Sequence, residues 1–188
     1  MSAQEKIELS ASHIAYGTGF GLISCWATVS LFSGAFSILS TTTVTTYSML
    51  SGAIACLCAL ALYGRMAPFS GRSLRALACA AAIAVGTFLY SYPAFAESPG
   101  IGMVGTVLSG TFTILVLMSW FDVFVRMMPR AIVTCAGIAL LIAAAASIGI
   151  LALPPRAASA AITAIPLVSW ILLPPPSTLV MEAGRSAQ

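Results

Sequence analysis

Histidine is nearly missing from this chain, and so is charge. One histidine (His13), eight lysines and arginines and five acidic residues are all that 188 residues carry. At 7% charged and 60% hydrophobic, with a mean hydropathy of +1.03, the chain falls far below the ~25% charged residues of a soluble domain. A water-soluble fold of this size cannot keep so much apolar surface from solvent. Lipid is the solvent that fits. The shortage of titratable groups also argues against catalysis: no nucleophile stands with a base, and a lone histidine in an N-terminal tail offers little to acid–base chemistry. The chain therefore reads as no enzyme, with no cofactor.

Other absences narrow the reading further. The net charge of +3 is spread over loops and forms no basic stripe, so direct nucleic-acid binding is not expected. The start, "MSAQEKIELSASH", has no basic n-region and no cleavage site after a short apolar run, so the first apolar segment is expected to stay in the protein. The five cysteines, Cys25, Cys56, Cys58, Cys79 and Cys135, all fall in apolar runs. Cys56 and Cys58 would point about 200° apart on a helix, and no Cys/His cluster has ligand spacing. They read as small buried hydrophobes, with no metal site. No internal repeat is visible.

What is present is apolar sequence in long runs. Crossing the ~30 Å hydrocarbon core takes ~20 mostly apolar residues as a helix, and lipid offers open backbone groups no partner. Six stretches fit, at 14–36, 44–63, 76–95, 100–124, 131–153 and 157–173, the last shortened and carrying Pro166. The fold class expected is an all-α integral membrane protein. A tail over 1–13 precedes the bundle, and a Pro-led tail over 174–188 follows it. Ser98 is placed to cap the fourth helix, with Pro99 in its first position.

The loop arginines orient the bundle. Arg65, Arg72 and Arg75 flank the second loop and Arg126 and Arg130 the fourth, whereas the opposite side carries only Arg156 and Glu97. The positive-inside rule then puts both termini in the cytoplasm of a cell whose plasma (inner) membrane holds the chain.

No Asp, Glu, Lys, Arg or His lies near the middle of a span, which argues against a proton relay or an ion site built from charged side chains. Asp122 and Arg126 stand four apart in acid-first order, either as an interfacial pair anchoring the helix end or as a switch contact with another loop. Small residues recur every four positions: Gly17 and Gly21; Ala78, Ala82 and Gly86; Gly102, Thr106 and Gly110. Such stripes let helices approach closely. The alternative for the first helix is a ligand cavity lined by Gly17, Gly19, Gly21 and Trp26. Trp26 lies mid-span, where its indole N–H needs a partner. Trp120 and Trp170 sit near span ends, as interfacial anchors do, and Tyr90 and Tyr92 fall where an outer aromatic belt is expected.

Six spans with a basic second loop resemble one half of a major facilitator superfamily transporter. Gly64, Arg65, Gly71 and Arg72 echo that family's loop motif, without its acidic residue and with stretched spacing. Over more of the chain, "GRMAPFSGRSLRALACAAAIAVGTFLY" and "VLSGTFTILVLMSWFDVFVRMMPR" are similar to the membrane region of bacterial LuxR-type regulators, through Arg65, Pro68 and Arg72 in the loop and Trp120 and Asp122 at the end of span four. In those regulators about twelve facilitator-like helices precede a helix-turn-helix domain. The resemblance implies a signal-sensing module, its small-molecule signal unknown. The 15 residues after Leu173 are too few for a DNA-binding domain, so the chain is expected to be either the N-terminal half of a longer protein or a self-standing relative that acts through a second six-helix half or a second copy. A half-size transporter of a neutral substrate, acting as a dimer, is the other function expected.

Overall fold

The computed structural model describes residues 11–32, 39–61, 72–92, 95 and 98–175. Among these there are six helices and no strand: α1 (Ala11–Ala27), α2 (Thr41–Ala61), α3 (Leu74–Ser91), α4 (Pro99–Val125), α5 (Pro129–Leu151) and α6 (Pro155–Ile171). α1 continues through a π-helical turn, Thr28–Phe32. Five of the helices, all but α6, are long and apolar enough to cross a membrane. The chain is a helical, multi-pass membrane protein by length and composition. α6, at 17 residues, falls just short.

Helix starts follow local chemistry. Ser73 caps α3, its hydroxyl accepting from the Ala76 amide at 3.1 Å. Pro99, Pro129 and Pro155 open α4, α5 and α6, a position whose amide has no intrahelical acceptor in any case. Proline alone suffices at α4: Ser98 occupies the capping position, but its side chain makes no capping bond. α1 begins at Ala11 and takes in His13, so helix extends into the segment read as a tail.

The tertiary order differs from the chain order. α1 packs on α5 and α6, α4 packs on α2 and α3, and α3 packs on α6. Exchanging each helix with the one three places on (α1 with α4, α2 with α5, α3 with α6) returns the same set of principal contacts. The first three helices and the last three are thus matched in their pairings. α1 and α4 each pack on two other helices. α2 and α5 flank them, and Val133, Leu140, Leu141 and Ile148 of α5 are all more than 70% exposed. Such a face is stable only against lipid or another helix.

Candidate functional site

The bundle centre is held by polar contacts that follow the same matching. Trp26 of α1 donates its indole N–H to Thr87 Oγ1 of α3 at 3.0 Å. Trp120 of α4 donates to Ser169 Oγ of α6 at 3.1 Å, and that hydroxyl donates in turn to the Gly19 carbonyl of α1 at 2.8 Å. α1 and α4 are thus each tied by one tryptophan to the third helix of their own half. Both rings are fully buried. Trp120 is therefore a core residue and not an interfacial anchor, because Ser169 supplies inside the bundle the acceptor that an interfacial indole finds in water. Phe20 and Phe124 meet edge-on beside it, ring centres 4.9 Å apart.

Tyr90 also lies inside, 1% exposed, and is not part of an aromatic belt. The exposed aromatic cluster at that end is Tyr92 stacked on Phe88 at 4.8 Å, with Phe95 against Phe88. Around the Tyr90 phenol stand the hydroxyls of Ser30, Thr87 and Ser109, all buried.

In front of each residue expected to line a ligand cavity there is protein. A Cβ on Gly17 would stand 2.8 Å from Ile138, and one on Gly21 2.7 Å from the Ala139 carbonyl, both on α5. Gly19 lies under the Trp120 ring, and the Trp26 indole is engaged by Thr87. The small-residue stripes divide between neighbours. Gly110 packs on Ser48 of α2, and Gly102 meets Leu39. Thr106 is buried, and its carbonyl accepts from Ser48 Oγ at 3.3 Å. Gly86 of α3 meets Gly105 of α4, each facing the other's carbonyl. The spacing of four had singled out Gly102, Thr106 and Gly110 and passed over Gly105 and Ser109, which sit at i+3 from Gly102 and Thr106 and form the second packing face of the same helix. Ala82 is half-buried and Ala78 exposed, so the α3 stripe closes only at its Gly86 end.

At the end of the bundle where α3 starts, the residue pair opening α3 is joined to the chain leaving α6. The Arg72 amide donates to the Pro174 carbonyl at 2.8 Å, and the Trp170 indole donates to the Ser73 carbonyl at 3.2 Å. The Arg72 guanidinium lies 5.3 Å from the centre of the Trp170 ring, within cation–π range. Trp170 is half-buried. Asp122 and Arg126 form the expected pair, Oδ1 to Nη2 at 3.1 Å, both partly exposed, which limits its contribution to ~0.3–0.5 kcal/mol. Arg75 and Arg130 are exposed. Arg65, with Gly64, Pro68 and Gly71, lies outside the described residues, as do Glu97 and most of the C-terminal tail.

Two adjoining apolar grooves, about 400 and 390 Å³, run along the seam of α2 and α4 and share Val107 and Thr111. Tyr47 and Met103 lie at one end, Cys58 and Leu115 at the other. Cys25, Cys79 and Cys135 are buried, and Cys58 is exposed. Among the described residues no group of three His, Cys, Asp or Glu could hold a metal ion. No family model, curated protein or solved structure matches this chain.

Proposed function

We propose that the chain is a membrane-embedded sensory and interaction module, built as half of a facilitator-like bundle and acting through a partner in the same membrane. The observation that carries this reading is the junction of Arg72 and Ser73 with Trp170 and Pro174. It ties the start of α3 to the chain leaving α6, so a shift of α1 or α4 against α3 or α6 would reach the C-terminal segment mechanically. The core supports recognition by shape and hydrogen bonding in preference to charge, since its buried polar groups are hydroxyls and indoles. Output through a partner, without DNA contact by this chain, follows from the same lack of charge.

The matched pairings of the two halves, the pattern an inverted repeat would give, favour a second reading, a half-size transporter that pairs to enclose a path for a small neutral substrate. Repeats of this kind place substrates where their halves meet. The apolar α2/α4 groove is where a second half would sit in either reading.

Cys58 in that groove is a built-in probe. Oxidative cross-linking in native membranes should yield a disulfide-linked homodimer that Cys58→Ser abolishes, or a cross-link to a different helical protein. Absence of both, with the chain monomeric in nanodiscs, would remove the half-bundle reading. Solute uptake by proteoliposomes of the paired chain would decide for the transporter.

A further inference from the structure

Positive charge collects at one end of the bundle. A Cβ on Gly86 of α3 would meet Ser109 of α4, and one on Gly105 would meet Leu89 and the Tyr90 amide, so α3 and α4 run antiparallel. The end of α4 therefore returns to the start of α3. Arg72 and Arg75 stand there with Arg126 and Arg130, while Arg156 lies at the opposite end, where α6 begins. Among the described residues Asp122 is the sole acidic one, and Arg126 holds it at 3.1 Å. The charge of this end is thus not balanced among them.

Arg72 is the arginine whose posture is fixed. Its backbone amide donates to the Pro174 carbonyl at 2.8 Å, and its guanidinium lies over the Trp170 ring, 5.3 Å from the centre. That ring is held in turn by its own N–H on the Ser73 carbonyl at 3.2 Å. The guanidinium carries five N–H donors, and no carboxylate among the described residues receives them. Such a fork fits two oxygens of one phosphate.

The surroundings select the source of that phosphate. Leu74, two residues after Arg72, is 81% exposed, and Ile171, next to Trp170, is 55% exposed. A charged group beside bare aliphatic side chains matches the boundary between lipid headgroups and acyl chains. A soluble anion would leave Leu74 and Ile171 uncovered, whereas a phospholipid covers them with its chains. The unbalanced charge favours a headgroup of net negative charge over a zwitterionic one, whose phosphate already has a cation beside it.

We infer that Arg72 binds the phosphate of an anionic phospholipid where α3 begins and α6 ends, and that this lipid holds the C-terminal junction closed. The phosphate keeps the guanidinium over Trp170, and Trp170 so held keeps its bond to Ser73. Lipid charge then sets how tightly the chain leaving α6 is held. The inference rests on the proposed reading of this junction as the route to a partner.

Amide exchange at Leu172 and Leu173 of the full chain tests it, in nanodiscs of phosphatidylcholine or of phosphatidylglycerol with matched chains. Exchange should be slower in phosphatidylglycerol by roughly five-fold, the weight of one arginine at an anionic surface. Arg72→Gln should exchange alike in both lipids, and Arg75→Gln, with the same loss of charge, should keep the difference. Native mass spectrometry should find phosphatidylglycerol retained by the wild type and by Trp170→Ala but not by Arg72→Gln, which separates binding from the integrity of the junction. Equal exchange of the wild type in both lipids overturns the inference. So does a lipid effect that survives Arg72→Gln, which would mean a general surface potential. Protection by inorganic phosphate in phosphatidylcholine also overturns it, in favour of a soluble anion. Cys58 cross-linking of the same samples tells the two failures apart. A chain that pairs without an Arg72-dependent lipid effect loses this inference and keeps the proposed function, and one with the effect that never pairs does the reverse.

Discussion

Trp120 of α4 and Gly19 of α1 are joined through one hydroxyl: Ser169 Oγ accepts the Trp120 indole proton at 3.1 Å and donates its own to the Gly19 carbonyl at 2.8 Å. Gly19 also lies directly beneath the Trp120 ring, so three helices meet where no side chain on α1 would fit. Ser169→Ala leaves a buried indole N–H without an acceptor and is expected to cost about 1–2 kcal/mol. Reversible unfolding in mixed micelles measures it. Ser169→Thr, which keeps the hydroxyl, should recover most of the loss, and equal loss in both variants would point to packing alone.

The Gly86–Gly105 crossing predicts a contrast among glycines. A Cβ on Gly86 would lie 2.6 Å from the Gly105 carbonyl, while one on Gly137 or Gly149 meets nothing within 4 Å. Gly86→Ala should destabilise the fold by roughly 1–3 kcal/mol through overpacking. Gly137→Ala and Gly149→Ala should be neutral or stabilising by up to about 1 kcal/mol, the helix preference of Ala over Gly. Thermal melts of the three variants in one lipid would show the order, and a uniform response would contradict the crossing.

Gly21 and Gly110 face α5 and α2 of their own chain, so they are not free to form an interface between chains. Gly21→Leu and Gly110→Leu should lower the Tm by the same amount at every protein-to-lipid ratio. A loss that shrinks as the chain is concentrated would show that these glycines act between copies.

The loop arginines predict sidedness. Reporters fused after Ala67 and after Ser98 should report opposite compartments, with Ala67 cytoplasmic. A cytoplasmic signal at Ser98 would reverse or break the topology.

The junction at Trp170 predicts graded release of the C-terminal segment. Trp170→Phe removes the bond to the Ser73 carbonyl and keeps a ring under Arg72, whereas Trp170→Ala removes both. Amide exchange at Leu172 and Leu173 should rise in that order. Equal exchange in all three proteins would mean that the Arg72 amide bond to Pro174 holds the segment alone.

Membrane residence, helical class and the approximate place of each helix were legible in the sequence, because the bilayer imposes one length and one polarity on every crossing. Each described helix overlaps its predicted stretch to within a few residues, and prolines at Pro99, Pro129 and Pro155 mark starts that need no context. The need of Trp26 for a hydrogen-bond partner was legible too, since an indole N–H in hydrocarbon needs an acceptor wherever it lies. Which acceptor was not: Thr87 is 61 residues away, and nothing local selects it. The matched pairing of the two halves left no trace in the sequence, because lipid asks only for apolarity and erases register from the exposed faces of α2 and α5. Tertiary packing alone decided that Trp120 and Tyr90 lie inside, that Gly105 forms the crossing, and that the glycines of α1 face α5 and the Trp120 ring. Those outcomes depend on which helix faces which, and helix pairing here is set by small steric fits and single hydrogen bonds between residues distant in the chain.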